Sequence, residues 1–131
     1  MSIEYNYEPS LHILHVNLND IIYVQDVLDH FKNVIEDNVI EDVAIEIINF
    51  ENVKDFAMAQ DEAVSIRTVF AKFKLDKKLV ASVVIASTPF HQGLAKMLES
   101  IIGHNITMHL VDTKEAGMEL AQNILKKRSI A

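Results

Sequence analysis

No cysteine occurs among the 131 residues, so disulfides, thiolate metal sites and cysteine nucleophiles are excluded, and the default is a reduced, cytoplasmic protein. Three glycines and two prolines are too few for collagen-like or flexible-linker architectures. No apolar run approaches the roughly 20 residues that a membrane-spanning helix requires. Met1 to Ser10 lacks the basic-then-apolar layout of a secretory leader. Glycine-rich phosphate loops, dinucleotide fingerprints and a Gly-x-Ser-x-Gly elbow are missing too, so no cofactor is expected. What is there is ordinary globular material, 50% hydrophobic and 24% charged, which predicts one domain over residues 1–131.

The net charge of −7 divides unevenly along the chain. Residues 1–65 carry a balance of −12 and residues 66–131 a balance of +5. Acidic residues gather in Glu36, Asp37, Glu41, Asp42 and Glu46, and basic ones in Lys72, Lys74, Lys77, Lys78 and Lys126, Lys127, Arg128. A nucleic-acid binder needs a broad basic face that releases phosphate counterions. Two short basic clusters in an acidic protein do not make one, and no nucleic-acid partner is expected. The halves instead face each other within the fold or between subunits. In the second case Glu36–Glu46 of one copy meets Lys72–Lys78 of another in a salt-sensitive contact.

Period-two alternation over Ile3–Tyr7, a Glu8-Pro9-Ser10 turn and an extended Leu11–Val16 predict a β-hairpin. Asn19 or Asp20 then caps a helix with Val24, Val27, Leu28, Phe31, Val34 and Ile35 on its buried stripe. Val43–Ile48 is a strand, with Glu46 marking a wet face or edge, and Asn49–Asp55 is a polar connection. A second helix buries Ala59, Ala63, Ile66, Phe70 and Phe73, with Met58, Val64 and Val69 widening its apolar face. Leu79–Ala86 is the most continuous apolar run, as a strand buried on both faces should be.

Thr88 caps a third helix with Pro89 in its first turn. That helix buries Phe90, Leu94, Met97, Leu98 and Ile101, and Gly103 ends it in a left-handed conformation. Ile106–Val111 is the last strand. Asp112 and Glu115 form a capping box for a fourth helix that turns Ala116, Leu120, Ile124 and Leu125 inward. The order ββαβαβαβα predicts an α/β fold with a mixed, mostly parallel sheet whose first hairpin supplies an antiparallel edge.

Ligands of such sheets sit beyond the carboxyl ends of the strands. That rim gathers Asn49, Glu51 and Asp55, then Ser87, Thr88 and His91, then Asp112 and Thr113. A catalytic reading makes His91 the base for Ser87 or Thr88, oriented by Asp112. The simpler reading makes Thr88 and Asp112 helix caps, with His91 on an exposed first turn. The six histidines are scattered: His12 and His15 face opposite sides of a strand, His30 has no partner at helical spacing, and His104 and His109 are split by a helix end. They read as surface or edge residues, and no metal is expected.

The element order and the stretch from Val80 to Gln122 resemble the STAS-like family, in particular the small stand-alone bacterial proteins similar to anti-sigma-factor antagonists. Pro89, Phe90, Gly93, Leu94, Ala95, Met97, Leu98 and Glu99, then Glu115 and Ala116, carry the likeness. It implies a STAS-like fold and a non-enzymatic regulatory domain that binds another protein or itself. A binder of an apolar small molecule or lipid, seated between the second and third helices and the sheet, is an alternative. In the family's antagonists a phosphorylatable serine opens the second helix. The corresponding residues here are Asp55-Phe56-Ala57-Met58, which contain no hydroxyl, so that charge switch is not expected to operate at this place. Asp55, Phe56 and Met58, with Ser87, Thr88 and His91, are the candidate interaction or ligand residues. An enzyme with His91 at the rim is the third alternative.

Overall fold

A computed structural model describes residues 2–40, 43–57, 62, 67–69, 71–72, 78–103 and 106–130. Strands β1 (Ile3–Glu8) and β2 (Ile13–Tyr23) are followed by α1 (Val24–Glu36), β3 (Ala44–Ala57), β4 (Leu79–Ile85), α2 (Pro89–Ile102), β5 (Met108–Val111) and α3 (Lys114–Ile130). Residues 62, 67–69 and 71–72 are helical and fall where the second helix is expected. Most of that helix's expected stripe (Ala59, Ala63, Val64, Ile66, Phe70 and Phe73) lies outside the described residues, as does Met58. No described helix is long and apolar enough to cross a membrane.

The sheet runs β1-β2-β3-β4-β5, with β1 antiparallel to β2 and every other pair parallel. This is the expected mixed sheet with one antiparallel edge. Because the parallel strands advance in one direction, right-handed crossovers carry their helices over the same side. Val27, Phe31 and Val34 of α1 and Leu94, Leu98 and Ile101 of α2 accordingly share one core with Leu14, Val16, Ile48 and Val84. This is the front face. The C-terminal α3 packs Ala121 on the back, over Ile45, Ile47, Ala81, Val83 and Ile85.

Two strands are longer than their alternation suggests. β2 continues through Asn19 and Asp20 to Tyr23, so neither residue caps α1; the Asp26 carboxylate accepts from Tyr23 N at 2.8 Å instead. Asp20 adopts φ 61° between register shifts, a left-handed conformation that Asp tolerates better than most residues. The expected polar connection Asn49–Asp55 is strand as well. β3 pairs with β4 only as far as Asn49↔Ile85 but with β2 as far as Tyr23↔Ala57, leaving a two-stranded extension beyond the sheet. Phe50, Val53 and Phe56 bury its underside.

Other local expectations also change. Gly103 is right-handed, and its amide donates to Glu99 O at 2.7 Å. Thr113, rather than Asp112, caps α3, its Oγ1 accepting from Ala116 N at 3.1 Å. Phe90 and Met97 lie on the exposed side of α2, because Leu94, Leu98 and Ile101 already fill its inner stripe.

One lysine of the basic half reaches the backbone of the acidic stretch. Lys78 Nζ donates to Asp37 O at 2.9 Å and Ile40 O at 2.6 Å, and Tyr5 OH donates to Asp37 Oδ2 at 2.7 Å. Burial, helped by that bond, pushes the Tyr5 phenol up to about 12. The Tyr5 hydroxyl and the Val39 N–H hold the Asp37 carboxyl below its ordinary value. Lys78 is thereby engaged within one chain, which removes it from the expected contact between subunits.

A candidate functional site at the carboxyl end of the sheet

The first turn of α2 is built by its sequence. Thr88 Oγ1 accepts from His91 N at 3.1 Å, and Pro89 follows where its missing N–H leaves nothing unpaired. The His91 ring bridges two elements, with Nδ1 2.9 Å from Thr88 Oγ1 and Nε2 2.9 Å from Val53 O on the β3 extension. A carbonyl can only accept, so Nε2 carries a proton; in the neutral ring Nδ1 then accepts from the Thr88 hydroxyl. The orienting place expected for Asp112 is therefore filled by a backbone carbonyl. Ser87 is exposed and, like Asp112, takes no part in the contact.

His91 and Phe90 form one wall of a cleft of about 820 Å3 whose other wall is the β2–β3 extension, with Asn19, Asp20, Glu51, Asn52 and Lys54. Lys54 Nζ lies 3.2 Å from Asp20 Oδ1 across the two strands, and both side chains are largely exposed. Phe90 is 55% exposed, its ring centroid 5.3 Å from that of His91. The cleft is thus polar on one side and carries a bare aromatic ring on the other.

The residues expected at a helix start are placed otherwise. Asp55 and Phe56 lie near the end of β3, where Asp55 Oδ1 accepts from Phe56 N at 2.8 Å. Phe56 is 4% exposed and packs edge-on against Phe50 at 5.7 Å, so it is core and cannot meet a partner directly.

Sequence reasoning missed a buried polar cluster. Glu46, expected on a wet face, is fully buried under α1. Its Oε1 lies 2.6 Å from His30 Nε2, and its Oε2 accepts from Ser82 Oγ at 2.8 Å. His30, expected at the surface, is also buried, with its ring edge-on to Tyr5 and Phe31. The signal was present: each of the three interrupts an apolar pattern, His30 at stripe position 30 beside 27, 31 and 34. Because Ser82, Glu46 and His30 are all buried, no substrate reaches the serine and the arrangement is no nucleophile pair. It is a satisfied polar lock between α1, β3 and β4. Among the described residues no group of three His, Asp or Glu side chains could hold a metal ion.

No family model matches the chain, and no curated protein does. Solved structures do. An uncharacterized protein of the DUF3478 family with a SpoIIAA-like fold, from Shewanella loihica PV-4, superposes with a TM-score of 0.60 at 10% identity, over 92% of this chain and 94% of that one. The anti-sigma factor antagonist SpoIIAA in its unphosphorylated form gives 0.52 at 11% identity, over 95% and 97%. The fold is therefore STAS-like. More narrowly, it is the single-domain SpoIIAA-like arrangement of a five-stranded mixed sheet flanked by helices.

Proposed function

We propose that this chain is a non-enzymatic STAS-type regulatory module that binds a protein partner in the cleft at the carboxyl end of the sheet. The observation that carries this reading is the exposed Phe90 ring on the wall of that cleft, beside an imidazole fixed at both nitrogens. A rigid aromatic side chain supplies much contact area at little entropic cost and is a common anchor of protein interfaces. The Thr88 hydroxyl that faces His91 Nδ1 is itself held as the cap of α2, accepting from His91 N, and this structural employment favours binding over catalysis. Regulation at the Asp55–Met58 segment must work without phosphate, since it has no hydroxyl. Absence of cysteine accords with a reducing, cytoplasmic setting.

The apolar-ligand reading seats its ligand against the expected second helix, most of which lies outside the described residues. The pocket next to α2 and β5, bounded by Val84, Ala95, Met108 and Leu110 among others, holds about 20 Å3, room for a single water.

The test compares partner capture from the native cell extract by the wild type, Phe90→Asp and Leu110→Asp, the last altering an exposed residue on β5 outside the cleft. The expected result is a partner held by wild type and Leu110→Asp and lost from Phe90→Asp, with thermal unfolding unchanged in all three. Retention of every partner by Phe90→Asp would remove the cleft as the binding surface.

A further inference from the structure

The back face of the sheet is covered over only part of its width. Gly117 brings α3 so close to β4 and β5 that a Cβ there would meet Ile85 Cγ1 at 3.3 Å and Val111 Cγ2 at 3.4 Å. The register aligns Glu4, Asn17, Asn49, Ile85 and Val111 in one row across the five strands. That row turns from apolar on β4 and β5, under α3, to polar on β3, β2 and β1. Between the helix and the polar half lies a groove of about 270 Å3, with Ile47, Ile85 and Met118 along it and Asn17, Asn49 and Lys114 at its margins.

The polar groups of this groove are donors. Asn49 Oδ1 already accepts from Glu51 N at 3.0 Å, which fixes its amide orientation and leaves Nδ2 to donate. Lys114 has no hydrogen-bond or carboxylate partner among the described residues, and the Asn17 side chain has none either. His15, at the end of the groove, is turned to Glu8 at 2.9 Å, so the lysine is the charge left uncompensated. A cation and two amide donors beside a short apolar floor match one anionic oxygen group on an apolar body. We infer that this back-face groove is a second binding site, separate from the carboxyl-end cleft, for a small amphipathic carboxylate whose head meets Lys114, Asn17 and Asn49 and whose tail lies along the half-buried Met118, beside the buried Ile47 and Ile85.

Octanoate serves as the probe, titrated into the full chain and followed by the side-chain amide resonances of Asn17 and Asn49, with acetate and octylammonium as comparisons. The expected result is saturable shifts with octanoate, weaker binding of acetate and no saturable response to octylammonium. Lys114→Met, at an exposed position that leaves the melting temperature unchanged, weakens octanoate by about tenfold, the usual worth of one charged hydrogen bond. Failure of octanoate to saturate, equal affinity for octylammonium or acetate, or full binding by Lys114→Met would each overturn the site. Phe90→Asp is expected to bind octanoate like the wild type, so the fate of this groove is read separately from that of the partner cleft.

Discussion

The same strands are treated differently on their two faces. On the front of β2, Leu14, Val16 and Leu18 are all buried, whereas on the back Ile13 is buried, His15 is half-buried and Asn17 is exposed. Connectivity explains the contrast. A sheet whose parallel strands advance one way receives its crossover helices on one side, and over β2 that side is closed. The other side is closed only where the terminal helix reaches. Where that face is covered it is core, and even its carboxylate, Glu46, finds partners. The uncovered face is free to keep polar side chains next to an apolar floor, the composition that ligand sites need.

The largest effect that tests this contrast is expected at Glu46. Glu46→Ala removes the acceptor of both His30 and Ser82 in a place water does not reach, and the cost is about 3–5 kcal/mol. On the back face Asn17→Ala removes an exposed amide with no partner among the described residues, and the change stays within about 0.5 kcal/mol. Urea unfolding of the two variants measures both. Similar losses at the two positions would mean that the faces are not distinguished by closure at all.

Most of the element order was legible because hydrophobic period and turn chemistry agree along the chain: the Glu8-Pro9-Ser10 turn, the Val27-Phe31-Val34 stripe and the Leu79–Ala86 run each have one reading. The extension of β2 and β3 was not legible. Its apolar residues Phe50, Val53 and Phe56 recur every third position, because the register shifts of the bulged ladder break the period of two. Asn49, Glu51 and Asp55 then read as a loop, and Asp55-Phe56-Ala57 as a helix start. Of the site, Thr88 and His91 are brought together by their place at the carboxyl end of β4, and the Ser-Thr-Pro sequence marks Thr88 as the cap. The His30–Glu46–Ser82 cluster escaped notice because its members are distant in the chain, and a lone polar residue in an apolar run does not name its partner.

A smaller effect is expected at the open edge of the front face, where Tyr5 meets Asp37. Tyr5→Phe removes one hydrogen bond, worth about 1 kcal/mol at neutral pH. The sign of its pH dependence follows from the two shifts. Asp37 is held below its ordinary 3.8, so its contribution is present above that value and lost as pH falls through the lowered one. Tyr5 is raised from 10.0 to about 12, so its contribution is present below 10 and lost as pH rises through 12. The stability gap between wild type and Tyr5→Phe is thus widest from about pH 5 to 9 and narrows at both extremes. Ultraviolet titration gives an independent reading: the phenol that ionises at about 12 disappears in Tyr5→Phe. A gap that is constant with pH would show that the bond does not hold the edge.

The smallest effect separates the outside of α2 from the underside of α3. A Cβ at Gly93 meets nothing within 4 Å, so Gly93→Ala keeps the whole gain of replacing a helical glycine, about 0.5–1 kcal/mol. At Gly117 the same gain is opposed, because the added methyl presses on Ile85 and Val111 in a layer with little room to give. Gly117→Ala is therefore expected to be neutral or mildly destabilising, and the larger Gly117→Val clearly so, as read from thermal unfolding. If Gly117→Ala instead gains as much as Gly93→Ala, α3 lifts from the sheet without cost. The width of the back-face groove would then be adjustable, not set by the glycine contact, and the distance from Lys114 to Asn17 and Asn49 would change with it.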